Sequence, residues 1–320
     1  MNGFESSAAS DFLIVVRAMH FAATAVIAGT LLFRMVIARP ALHLARPVAN
    51  VVEAQILRVA WICIVISFVS GAAWILLQVP AMSGLPFREA MTGDVIGTVL
   101  TETQFGLVTE LRSVLAVIVA ACLTYDRYPM ARSLGLMSSL CLVASIAATG
   151  HAGATEGSAG LAHLAADAVH LVASGAWIGG LVSLALLTTI TRRYDPHGWP
   201  SLVRDATLRF SNLGLLSVSA LLATGMVNGA ILVGSVHALL VTMYGQLLVL
   251  KIALFAAMLV IAAVNRFWLL PQLASVPASE RELDAARKLT RNCVVEVALG
   301  LMIFAIVGAL GTIHPAIHLG

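Results

Sequence analysis

Between Thr149 and Trp177 the chain gathers three histidines and a carboxylate at the mouth of a long apolar run. Thr149-Gly150-His151-Ala152 is followed by a small-residue loop and then by His163, Asp167, His170 and Trp177. His163, Asp167, His170, Ser174 and Trp177 are spaced i, i+4, i+7, i+11 and i+14, which is one face of a helix. An imidazole nitrogen ligates transition metals or haem iron. A carboxylate on the same face can hold one ring N–H and leave the other nitrogen bare. Ionisable groups in hydrocarbon cost at least about 2.5 kcal/mol each, so this polar stripe is expected to face the interior and to hold something. Two further histidines join the candidates, His20 in the first apolar run and His314 after the last.

The elements that position these rings are membrane spans. Of 320 residues, 60% are hydrophobic and 11% charged, against roughly 25% charged in soluble domains. A span needs roughly 20 apolar residues, and eight such runs occur near 12–34, 56–78, 105–123, 134–150, 161–190, 211–233, 246–268 and 293–313. The fold class expected is therefore an all-α integral membrane protein, one transmembrane domain over 1–320 with no soluble domain. Fifteen of the nineteen Lys and Arg fall in loops 34–58, 124–133, 191–210 and 266–292, while the opposite loops hold Arg88. The positive-inside rule makes those four loops cytoplasmic and puts both termini outside. The amino terminus lacks a basic n-region and does not read as a cleaved signal peptide.

Within the spans, His20 lies about 12 Å below the outer surface, too deep for so short a side chain to reach water. Arg17 is expected to snorkel to the headgroups, or to pair with Glu110. Glu110 and Arg112 lie two residues apart and so face different neighbours. Trp61 and Trp74 near the ends of the second run read as interfacial belts. Cys63, Cys122, Cys141 and Cys293 form no CxxC pair and read as small core residues. Met82 and Met91 on an outer loop, and Met226, are second-rank soft-metal donors. No Walker motif is present, so transport driven by the chain's own nucleotide hydrolysis is not expected.

Setting the halves 1–150 and 151–320 over each other brings the rare residues together. Arg17 to Leu31 lies over Asp167 to Leu181 without a gap, which puts His20 on His170, Thr24 on Ser174 and Gly29 on Gly179. Ser70-Gly71 falls on Thr224-Gly225, Arg112 on Lys251, and Thr149 and His151 on Thr312 and His314. Both halves have the same expected orientation, as a parallel 4+4 repeat about an axis along the membrane normal requires. In such a repeat His20 and His170 face each other across the axis, flanked at the outer surface by His151 and His314.

The Thr149-Gly150-His151-Ala152 turn, followed by His163-Leu164, Asp167, His170-Leu171, Trp177 and Gly179-Gly180, resembles the CopD (PcoD) family of bacterial copper-resistance membrane proteins. The resemblance implies an inner-membrane protein, not an enzyme, that handles copper ions and imports them from the periplasm. It also implies a small CopC-type periplasmic carrier, expected as a separate chain, and no nucleic-acid partner. The metal ligands expected are His20, His151, His163, His170 and His314, of which His314 comes from the repeat alone. The rival reading is a b-type cytochrome, since facing histidines in a helical bundle also hold haem. The topology is directly testable. Cysteines introduced as Arg88→Cys and Arg204→Cys should react with an impermeant thiol reagent from outside and only from the cytoplasmic side, respectively; the reverse pattern contradicts the assignment.

Overall fold

A computed structural model describes residues 2–42, 46–150, 153, 157–194, 199–233, 235–273, 280–313 and 315. His151 and His314 lie outside the described residues. Among the described residues eight helices are long and apolar enough to cross a membrane: α1 (Asp11–Leu42), α2 (Val48–Ser83), α3 (Gln104–Thr124), α4 (Pro129–Thr149), α5 (Ala159–Tyr194), α6 (Trp199–Val233), α7 (Met243–Gln272) and α8 (Glu280–Leu310). Helices satisfy every backbone hydrogen bond within the segment, which lipid requires. Several run past the apolar stretches read from sequence, because polar residues at the membrane boundary extend a helix once it is nucleated. The stretch read as the outer loop 79–104 itself holds two short helices, Phe87–Ala90 and Gly93–Glu102.

Helices α1 and α5 form the centre, with 78% and 67% of their apolar stretches buried against 6% for α7. They approach through glycine. A Cβ on Gly29 would lie 2.7 Å from the Gly179 Cα, and a Cβ on Gly179 would lie 2.9 Å from the Val26 carbonyl, closer than any side chain tolerates. Such small-residue crossings let helix backbones pack where lipid offers no hydrophobic drive. Helix α8 lies against the same pair: Gly308 faces the Ile14 carbonyl of α1, and Gly300 faces Ile178 of α5. One apolar core cluster takes residues from both halves, among them Phe33, Trp74, Val143, Leu181, Phe210 and Phe304.

Near the basic-loop end of α1 a π-helical turn, Arg34–Ala38, precedes its last α-helical turn, Arg39–Leu42. Arg34 donates to Asp126 Oδ1 at 2.5 Å and to Glu53 Oε2 at 2.6 Å, tying α1 to α2 and to the α3–α4 turn. Burial alone would raise the Asp126 carboxyl. The hydrogen bonds and charge of Arg34, helped by Arg132 and Arg39, outweigh it and hold the group below its ordinary value. A depressed carboxylate stabilises the fold above its unfolded pKa, and that contribution disappears as pH falls through the folded value. Asp126→Asn is therefore expected to cost about 1–3 kcal/mol near neutrality and to flatten the acid limb of the melting-temperature profile; an unchanged acid limb contradicts the role given to this pair.

Candidate metal-handling site

His20 sits on α1 nine residues before the Gly29 crossing, and His170 sits on α5 nine residues before Gly179. At 1.5 Å per residue the rings lie about 14 and 16 Å along their helices from the ends opposite the basic loops.

The hydrogen bonds fix the tautomer of His20. Nδ1 lies 3.1 Å from the Ser67 carbonyl and 3.0 Å from Ser70 Oγ. A carbonyl only accepts, and the Ser70 hydroxyl gives its own proton to the Ile66 carbonyl at 2.6 Å. Nδ1 must therefore carry the proton, and the Nε2 lone pair points away from α2. Arg112 of α3 meets that lone pair and donates to it. His170 repeats the scheme: Nδ1 lies 2.9 Å from Thr224 Oγ1, which donates to the Ala220 carbonyl at 2.6 Å. Its Nε2 is again the unprotonated nitrogen, and the Lys251 ammonium lies within electrostatic range. Gly71 and Gly225 leave room beside the two rings, 3.4 and 3.8 Å from Cε1 measured from an added Cβ.

A cavity of about 150 Å³ opens beside His20, with Ser67, Gly71, Trp74, Thr109 and Arg112 in its wall. Trp74 is the hub of that wall. Its ring meets His20, Phe21 and Phe105 edge-on, with centroids 5.7, 5.6 and 5.7 Å away. The guanidinium carbons of Arg17 and Arg112 stack over it at 5.0 and 4.9 Å. This overturns two sequence expectations. Trp74 is 2% exposed, so it is not an interfacial belt residue, and Arg17 is 7% exposed, so it does not snorkel. Glu110 is exposed, and no Arg17–Glu110 pair occurs among the described residues. The signal for Trp74 was present: Ser67, Ser70, Gly71 and Trp74 at i, i+3, i+4 and i+7 share one face of α2.

In the second half, Asp167 accepts from Asn228 Nδ2 at 3.0 Å and interacts electrostatically with Tyr244 and Lys251. His163 is buried, Trp177 packs edge-on against Phe255 at 5.6 Å, and Val169 and Leu161 on other faces of α5 are exposed. The stripe read from sequence thus faces inward. No described contact joins His20 to His170: the first ring addresses α2 and α3, the second α6 and α7. Among the described residues no three His, Cys, Asp or Glu side chains are grouped to cage a metal. Met226 is exposed, as is Met82. Cys122 and Cys293 are buried, Cys63 half-buried and Cys141 exposed, all as thiols. The haem reading gains nothing from this layout, because the two rings belong to separate helix groups and pockets for large ligands run to about 300–1,000 Å³.

Comparison with known proteins covers most of the chain. Residues 7–161 match the family described as Copper resistance protein D-like, N-terminal domain, and residues 204–310 match Copper resistance protein D. Copper resistance protein D of Pseudomonas syringae pv. tomato is 30% identical over 257 residues, 77% of this chain and 80% of that protein. Inner membrane protein YebZ of Escherichia coli (strain K12) is 29% identical over 252 residues, 77% of this chain and 83% of that protein. Copper transport protein CutJ of Bacillus subtilis (strain 168) is 30% identical over 201 residues, 60% of this chain and 36% of that protein. No solved structure matches.

Proposed function

This chain belongs to the copper resistance protein D family, and on that premise we propose that it carries copper ions across the inner membrane, from periplasm towards cytoplasm, through His20 and His170. It is a multi-pass inner-membrane protein. The observation that supports the reading best is the matched pair of tautomers: in both halves a hydroxyl that has already spent its proton holds Nδ1–H, so Nε2 is left as the donor nitrogen. That is the usual arrangement around a metal-binding histidine. A neutral imidazole is also cheaper to bury without its metal than a carboxylate.

Magnitudes favour passage over storage. Copper reaching His20 displaces the Arg112 hydrogen bond, worth about 1.5–3 kcal/mol for a charged donor. The displaced guanidinium then repels the ion by about 4 kcal/mol per unit charge at 4 Å and an effective dielectric of 20. Both terms weaken a coordination site that elsewhere reaches about 10–16 kcal/mol when fully caged. Moderate binding suits conduction, where an ion must leave as readily as it enters. A relative named copper transport protein also favours movement.

The paired surroundings, Ser70-Gly71 with Arg112 at His20 and Thr224-Gly225 with Lys251 at His170, support reading the halves as a parallel repeat. His163 is proposed as an upper station above His170 on the same helix face, and His151 and His314 as collectors at the outer surface, where a separate CopC-type carrier would deliver. His20→Ala and His170→Ala are each expected to lower copper accumulation in cells by tenfold or more, and Ser70→Ala or Thr224→Val by about tenfold through loss of ring orientation. Wild-type accumulation in both histidine variants overturns the proposal.

A further inference from the structure

Three buried hydrogen-bond donors around one indole have nothing to donate to. The Nε–H groups of Arg17 and Arg112 and the indole N–H of Trp74 lack any partner among the described residues. Their side chains are almost fully enclosed, Arg112 at 5% and Trp74 at 2% exposure. Neither guanidinium belongs to an ion pair among the described residues: the carboxylates Glu53, Asp126, Asp205 and Asp284 serve other cations. Buried charges are paired as a rule, because desolvation without compensation is among the most costly events in folding. Here two like charges, close enough to act on each other, share one aromatic ring and face no acid among the described residues.

The remaining polar groups of the cavity bring no negative charge to balance the two guanidiniums. Thr109 gives its hydroxyl proton to the Phe105 carbonyl at 2.7 Å, and Ser113 gives its own to the Thr109 carbonyl at 2.9 Å. The ring of His20 is neutral, with Nε2 accepting from Arg112. Thr109 and Ser113 thus offer only neutral acceptor oxygens, and with two guanidiniums and the orphaned N–H groups beside them the surroundings carry net positive charge, the electrostatic inverse of an empty cation site. Its volume of about 150 Å³ admits a small ion with a few waters, since one water fills about 30 Å³.

We propose that the cavity bounded by His20, Trp74, Thr109 and Arg112 binds a small, singly charged anion, held by the Arg112 guanidinium with the charge of Arg17 and the indole N–H of Trp74 beside it. The site stands without the copper reading. Where copper is the cargo, the anion draws Arg112 off His20 Nε2 and cancels the charge that opposes a cation there. The anion comes from dissolved salt or from a lipid phosphate reaching in from the outer leaflet, and both offer the same chemistry.

The test is a bromide titration of the metal-free protein in uncharged detergent with gluconate as background, read by tryptophan quenching. Wild type is expected to show a saturable component that chloride displaces, that Trp74→Phe removes from the signal, and that Arg112→Met weakens at least tenfold. Arg88→Met, which lies on the outer loop, should titrate as wild type. Displacement of bromide by added phosphatidylglycerol assigns the anion to lipid phosphate; indifference to the lipid assigns it to dissolved salt. Purely linear quenching in wild type overturns the proposal whatever the variants do. So does saturation that survives in an Arg112→Met protein eluting at the wild-type volume.

Discussion

A hydroxyl whose proton is already given to its own helix can only accept, and this single constraint sets the chemistry of the buried His20 and the half-buried His170. Ser70 and Thr224 each donate to a carbonyl four residues back, an arrangement that serines and threonines adopt readily within helices. With that proton committed, the neighbouring imidazole must turn its N–H to the hydroxyl and its lone pair elsewhere. The direction of the lone pair is thus decided by backbone geometry one helix away. What the lone pair meets differs between the halves: Arg112 donates to His20, whereas His170 feels Lys251 at longer range.

The helix crossing at Gly29 and Gly179 fixes where these rings stand. Only residues without a Cβ let α1 and α5 come this close, and each histidine follows rigidly from its glycine at a spacing of nine residues. Helices so enclosed can carry ionisable groups, because their surroundings are protein and not lipid. Outside this centre, α3 keeps Arg112 buried against it and leaves Glu110 exposed. Architecture and chemistry share one cause here: close backbone packing at the centre creates the interior that a polar side chain needs.

Much of this was legible from sequence. Eight apolar runs and the inward stripe from His163 to Trp177 appear in the structure as spans and a buried face. The glycine pair was legible too, because small residues deep in a span have few other uses. What could not be read was which neighbour each face meets. Helical periodicity gives a direction around one axis and says nothing of the helix lying in that direction, so Trp74 passed for a belt residue and Arg17 for a snorkelling one. The same gap produced the expectation that His20 and His170 face one another, whereas each engages the helices of its own half. Spacing set Arg112 against a different neighbour from Glu110, but that this neighbour is a histidine lone pair is visible only in the fold.

The central claim is that imidazole Nε2 atoms receive the metal. X-ray absorption at the copper K-edge on copper-loaded protein measures this directly. The account predicts nitrogen donors with the outer-shell scattering of imidazole, reduced when either His20 or His170 is replaced. A first shell of sulfur or oxygen alone, the same in wild type and in both variants, would contradict it.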